Sequence, residues 1–333
     1  MGTIIFFSAC SQTQTEKYRI EQISEQGYTY ETVTNDPLKM RLYTLENGLK
    51  VYLSVNKDEP RLQTCIAVKA GSTYDPAETT GLAHYLEHML FKGTDEIGTL
   101  DWEKERILLD IISDLYEQHR MTDAPEVKMN IYQQIDSVSY LASKFTIANE
   151  FDKMVSSIGA KGTNAFTSNE QTVYINDIPS NELERWLKLE SERFSQLVLR
   201  LFHTELESVY EEFNRGQDND SWKVYFALFR NLFPNHPYGT QTTIGTADHL
   251  KNPSMEKIHE YFNNYYVPNN IAICLAGDID PDKTIALIDT YFGNMKPKEV
   301  PAYNKVASDP ISGKITENVF GPDRENLMLG FRF

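Results

Sequence analysis

The chain is poor in several things that would each point to a function. It has three cysteines in 333 residues, Cys10, Cys65 and Cys274. No two of them stand in a Cys-x-x-Cys pair, so neither a cysteine-rich zinc site nor a thioredoxin-like redox motif is supported. Cys65 lies in Gln63-Thr64-Cys65-Ile66-Ala67-Val68 and Cys274 in Ile271-Ala272-Ile273-Cys274-Leu275-Ala276. Both runs read as strands in which Cys acts as a small apolar residue. Basic residues are also short: 32 Lys and Arg stand against 48 Asp and Glu, a net charge of −16. That balance argues against a phosphate-binding surface and hence against nucleic acid as the partner. It is compatible with a basic or neutral substrate. No apolar run is long enough to span a bilayer as a helix. Histidine is scarce as well, with seven in the chain.

That scarcity makes one cluster stand out. His84-Tyr85-Leu86-Glu87-His88 puts two of the seven histidines four residues apart. On a helix they project from one face, a turn apart, and can share one metal ion. Glu87 flanks the same face and is placed to handle the proton of a metal-bound water. The order His-x-x-Glu-His is the inverse of the commoner His-Glu-x-x-His zinc signature. At this histidine content its three fixed residues would arise by chance about once in a hundred such chains. The bland alternative is a surface helix carrying a fortuitous pair. The other histidines, His119, His203, His236, His249 and His259, have no ligand spacing and read as structural or surface residues.

The pattern along the chain is α+β, an antiparallel-rich sheet with helices packed on it. Residues 1–37 read as a signal remnant or linker. Within them Phe7-Ser8-Ala9-Cys10 follows a short apolar run and precedes a polar stretch. It resembles a bacterial lipobox, with Cys10 as the lipidation site, a tether to the membrane and a location in the cell envelope. The run is too short and lacks a basic start for a full signal. Met40–Thr44 and Leu49–Val55 flank Glu46-Asn47-Gly48, a strong hairpin signal. Leu62–Ala70 is a further strand, and Gly81–Phe91 is the helix carrying the histidines. Residues 101–148 show two apolar stripes at helical spacing around Met121-Thr122-Asp123-Ala124-Pro125, a helical hairpin. Ala160–Ile175 is extended, and Asn181–Asn214 is helical in two segments. Trp222–Leu232, Met255–Tyr265 and Lys283–Phe292 are helices, with a strand at Asn270–Ala276. Residues 298–312 read as a linker and 313–333 as the first strands of a second unit.

With these pieces placed, residues from about Met40 to Phe292 resemble the pitrilysin/insulinase family of zinc metallopeptidases, the inverted zincins. Three blocks in the family's order carry the likeness: Gly81–Thr94 around the histidine motif, Asn164-Ala165-Phe166-Thr167-Ser168 through Thr172-Val173-Tyr174, and Glu205-Leu206-Glu207-Ser208-Val209-Tyr210-Glu211-Glu212. The resemblance implies a mitochondrial-processing-peptidase-like fold over residues 38–297, with 101–148 as an inserted hairpin near the cleft. It implies Zn2+ held by His84, His88 and Glu212, with Glu205 orienting the site. Glu211 and Glu207 are the alternative ligands if the register differs. Two His and one Glu leave one position open, the pattern of a catalytic zinc. Glu87 is then the general base of a zinc endopeptidase acting on peptides or small unfolded proteins. Asn164 and Ala165 resemble the edge strand to which a peptide substrate adds. Relatives work as two homologous halves, so a second half, in the same or another chain, is the implied partner. Two other functions compete: a non-catalytic partner or scaffold subunit, and a binding module at a membrane surface with a purely structural zinc.

Overall fold

A computed structural model describes residues 18–302 and 310–332. Cys10 and the lipobox reading therefore lie outside the described residues. One sheet is built from β1 (Ile20–Glu25), β2 (Tyr28–Val33), β3 (Arg41–Thr44), β4 (Lys50–Val55), β5 (Arg61–Val68), β6 (Lys161–Thr167), β7 (Thr172–Pro179) and β8 (Ile271–Gly277). Their order across the sheet is β1-β2-β3-β4-β8-β5-β7-β6. Every neighbouring pair is antiparallel except β4 and β8. This is the α+β, antiparallel-rich architecture expected from the sequence.

Alternation decides which face of the sheet is covered. Val51 and Leu53 of β4, Leu62, Ile66 and Val68 of β5, and Ile273 and Leu275 of β8 are buried against helices. The intervening Tyr52, Cys65, Ala67, Ala272 and Cys274 remain partly exposed on the opposite face. The helices are α1 (Leu82–Met89), α2 (Trp102–Met121), α3 (Pro125–Ser143), α4 (Glu150–Ser157), α5 (Leu183–Ser195), α6 (Phe202–Gln217), α7 (Asp220–Leu232), α8 (Pro237–Thr240), α9 (Ala247–Lys251), α10 (Met255–Tyr265) and α11 (Pro281–Phe292). The expected helical hairpin is α2–α3. It opens on Asp101, whose side chain accepts from the Lys104 amide, and turns into α3 through Pro125. Its helices dock on α10 and α6, so the hairpin backs the third sequence block.

Three expectations are corrected. Residues 20–33 are not linker: β1 and β2 form a hairpin through Gln26 and Gly27, both at positive φ, and β2 pairs with β3. The segment reads as polar because β1 is largely exposed and only Ile23, Tyr28 and Tyr30 of the hairpin pack on the core. Helix α4 was not foreseen. Residues 310–332 contain no strand; they run irregularly along α7. There Glu317 meets Arg230 at 2.5 Å, the Asp323 amide donates to Asp220, and Arg332 donates to the Leu232 carbonyl.

One buried ion pair holds the segment after α1 in place. Arg200 grips Glu105 of α2 with two contacts, at 2.7 and 2.9 Å, and donates to the carbonyls of Lys92, Ile97 and Thr94. Both side chains are sealed from solvent. Removing one partner strands the other charge in a low-dielectric interior, at a cost of about 3–5 kcal/mol. Glu105→Ala should therefore lower the thermal midpoint of the protein by several degrees. Replacing both residues by Met should cost clearly less. Equal losses in the two variants, measured by calorimetry, would show that packing rather than the stranded charge matters.

Candidate metal centre

The histidine motif falls on α1 as the sequence implies. The helix has eight residues, too few to be stable alone. Its start is fixed by Asp75, whose carboxylate accepts from the amides of Gly81 (2.8 Å) and Ala83 (2.9 Å). Gly81 sits at φ 87°, and a Cβ there would lie 2.5 Å from the Ile244 carbonyl oxygen, so glycine is required. His249 accepts from the Thr80 amide and pins the residue before it. In mid-helix the Tyr85 hydroxyl donates to the Phe202 carbonyl at the start of α6. The two helices are thereby locked together, and α6 presents its acidic face to the histidines.

That packing brings the expected residues into one place. Donor atoms of His84, His88 and Glu212 all lie within 4.8 Å of one another. Nε2 of His84 is 3.8 Å and Nε2 of His88 is 3.7 Å from Oε2 of Glu212. These separations are too long for hydrogen bonds. Donors about 2.0–2.2 Å from a tetrahedral ion are about 3.3–3.6 Å apart, so the three atoms frame a hole of cation size. The donor set, two imidazoles and a carboxylate, also suits zinc.

The surroundings set the ring tautomers. Nδ1 of His88 donates to Oε1 of Glu205 at 2.8 Å, which leaves Nε2 with its lone pair toward the hole. Lys92 holds the other oxygen of Glu205 at 2.6 Å. Nδ1 of His84 is buried with no protein partner. Burial, then the neighbouring charge of His88, push the His84 pKa down to about 3, so its ring is neutral. For His88, burial pulls the pKa down, but the hydrogen bond and charge of Glu205, with Glu87 and Glu212, outweigh it and hold it above the usual value. Glu205 is likewise pushed up by burial, yet His88 and Lys92 bring it below the ordinary carboxylate range.

Glu87 is buried beside the cluster, 7% exposed, and its Oε2 accepts from the Thr167 hydroxyl at 2.5 Å. Burial raises its pKa against the opposing pull of Thr167 and His88, and Glu212 adds to the rise. Thr167 ends β6, the outermost strand beside β7. Asn164 and Ala165 lie on the same strand, Asn164 exposed and Ala165 partly buried, paired with Ile175 and Tyr174 of β7. The other long edge of β6 pairs with no strand among the described residues. Glu211, the alternative ligand, is exposed and reaches toward Arg215. Glu207 is also exposed and joins no metal-type cluster among the described residues. Thr167 and Lys92 were missed as site residues. Both stood inside the quoted blocks, but neither has a chemistry that spacing alone reveals.

Comparison with known proteins points to a family of peptidases. Residues 50–106 match the sequence profile described as Insulinase (Peptidase family M16), and residues 254–333 match that of the Peptidase M16 inactive domain. The second match begins ahead of α10 and so includes β8 and α11 of the sheet. Insulin-degrading enzyme of Bos taurus is 26% identical over 278 residues, covering 80% of this chain and 22% of that protein. Zinc protease PqqE of Helicobacter pylori is 26% identical over 257 residues, covering 76% of this chain and 46% of the relative. Among solved structures, a protease from Helicobacter pylori superposes with a TM-score of 0.61 at 25% identity, over 80% of this chain and 53% of that one. The first half of the periplasmic protease PqqL from Escherichia coli shares the fold, with a TM-score of 0.59 at 20% identity over 82% and 48% of the two chains. These matches support the M16, or insulinase, family of peptidases. The chain spans about a fifth to a half of the length of the curated relatives it matches.

The geometry separates three glutamates that sequence spacing alone could exchange. Glu212→Gln should lower zinc content sharply, while Glu211→Gln should leave it unchanged. Glu205→Ala should weaken zinc affinity by about 10–100-fold without removing a donor, because His88 loses its orienting partner. Metal analysis after dialysis against a graded chelator reads all three. Zinc loss in the Glu211 variant with retention in the Glu212 variant would reverse the assignment.

Proposed function

We propose that the protein is a zinc-dependent endopeptidase in which His84, His88 and Glu212 hold the metal and Glu87 is the general base. The observation that carries this reading is the convergence of three donor atoms within 4.8 Å of one another, with a buried carboxylate beside them. A non-catalytic subunit has no need of Glu87 next to the donors, and a purely structural zinc is ordinarily closed by four protein ligands.

When bound, zinc would supply a lowered pKa for a water molecule and polarisation of the scissile carbonyl. The chain's own residues do the rest. Thr167 holds Oε2 of Glu87, so the carboxylate keeps a fixed orientation. Glu87 takes a proton from the attacking water and returns it to the nitrogen of the leaving amine. Glu205, anchored by Lys92, keeps His88 in the tautomer that a metal requires. The free edge of β6 at Asn164 and Ala165 accepts an extended peptide as an added strand, with backbone hydrogen bonds that tolerate many sequences. A peptide laid there runs past Thr167 toward Glu87. The substrate class is accordingly peptides or unfolded segments.

The solved relatives support a second half as the working partner. The chain overlays 48% of the PqqL first-half structure and 25% of the whole PqqL chain. We therefore place the active enzyme in an assembly of this zinc-carrying unit with homologous ones.

Glu87→Gln keeps nearly the same shape but cannot accept a proton. It should retain zinc and the fold while cleavage of an unstructured peptide, assayed in the full-length protein, falls by at least about 10²–10⁴. His88→Ala should lose both metal and activity. Turnover like that of the wild type in the Glu87 variant would overturn the mechanism, and zinc loss in that variant would make Glu87 a ligand instead.

A further inference from the structure

The open face of the sheet carries a feature that the metal centre does not use. Cys65 of β5 and Cys274 of β8 are directly opposite each other in the antiparallel register. Opposed residues in such a pair have Cα atoms about 4.5–5.5 Å apart, inside the roughly 4.4–6.8 Å that a disulfide spans. Both are free thiols, and both are partly exposed rather than sealed in the core. Their neighbours across the sheet are Ile175 of β7 on one side and Tyr52 of β4 on the other, also partly exposed. Along each strand the flanking residues on this face are small or uncharged: Gln63 and Ala67 beside Cys65, Ala272 and Ala276 beside Cys274. A reagent can therefore reach the pair without moving a helix.

We infer that Cys65 and Cys274 form a dithiol modification site that a small-molecule disulfide converts into a cross-strand bridge between β5 and β8. The register sets the two thiols against each other. Their interaction draws the pKa of Cys65 down while it, together with burial, pushes that of Cys274 up; Cys65 is accordingly assigned as the attacking thiol. Cys65 loses its proton first and its thiolate attacks one sulfur of the oxidant, for example oxidised glutathione. One glutathione leaves as a thiolate and takes up that proton, and a mixed disulfide remains on Cys65. Cys274 then gives up its proton and attacks the Cys65 sulfur, and the second glutathione leaves as its thiol. Two protein thiols are oxidised and one glutathione disulfide is reduced to two thiols. The register already holds the sulfurs together, so the second step needs no rearrangement of the backbone.

The bridge would have a defined consequence. β5 lies within the segment matched by the insulinase profile, and β8 lies within the segment matched by the inactive-domain profile. A Cys65–Cys274 bond ties these two segments covalently at the middle of the sheet. This inference does not depend on the proposed peptidase activity.

The test uses the folded chain carrying Cys10→Ser, so that only the pair remains. The protein is incubated with oxidised glutathione, alkylated with iodoacetamide without reduction, digested and mapped by mass spectrometry. The expected product is a linked peptide pair containing Cys65 and Cys274 within one chain, with both thiols lost to alkylation together and restored together by dithiothreitol. Cys274→Ser, which leaves only the attacking thiol, should instead accumulate glutathione on Cys65. Unchanged alkylation of both thiols, stable addition of two glutathiones, or a bond between two chains would each overturn the inference.

Discussion

Everything at the metal centre depends on how one very short helix is held. Eight residues cannot sustain a helix in water, so the direction of α1 is set from outside. Asp75 fixes the first turn through two backbone amides. Tyr85 ties the middle to the start of α6. Beyond the last turn, Arg200 gathers three carbonyls of the following loop and pairs with Glu105. With both ends and the middle fixed, the imidazoles have little freedom left, and α6 is brought against them by the same bond that orients α1. Precision at the candidate ligands is thus a property of three polar anchors distributed around the helix, two of which lead to the one short stretch that holds Arg200 and Phe202.

The electrostatics follow from that arrangement. Glu87, Glu205 and Glu212 gather around two imidazoles, and Lys92 is the only cation paired within the cluster among the described residues. Three carboxylates and one ammonium leave the pocket short of positive charge. A divalent cation would redress that imbalance; of the acidic residues on α6, Glu205 is largely buried against His88, whereas Glu212 reaches the histidines from a half-exposed position. The same carboxylates hold the His88 pKa above its usual value against the pull of burial. Elsewhere two guanidinium groups are sealed as ion pairs. Arg200 meets Glu105, and Arg193 meets Glu190 within a cage of Phe91, Phe151, Tyr174 and Phe194 rings.

How much of this could be read from the sequence depended on periodicity. The α2–α3 hairpin, α10, and strands β3, β4, β5 and β8 were legible because their apolar residues recur at one clear period. The histidine motif was legible because its residue types are rare. Glu205 and Glu212 were legible as a pair seven apart on one face, although choosing them over Glu207 and Glu211 rested on the family resemblance. The structure separates them by direction: Glu212 faces the histidines, whereas Glu211 points along the exposed side toward Arg215. The β1–β2 hairpin escaped because the residues it packs on the core, Ile23, Tyr28 and Tyr30, are too few to stand out among its polar neighbours. Thr167 escaped for another reason. Its hydroxyl matters only because β6 folds back beside α1, and no local pattern records a contact between residues 87 and 167.

The position of β8 has a consequence for how the chain is made. It lies in the middle of the sheet, between β4 and β5, yet it follows β5 by roughly two hundred residues. At ribosomal rates of roughly 5–20 residues per second, β5 waits on the order of ten to forty seconds for its central neighbour. Through that interval the sheet exists as two pieces with open edges, and α1 rests on a wall that is not yet whole. The nascent chain therefore carries its histidines long before it can position them.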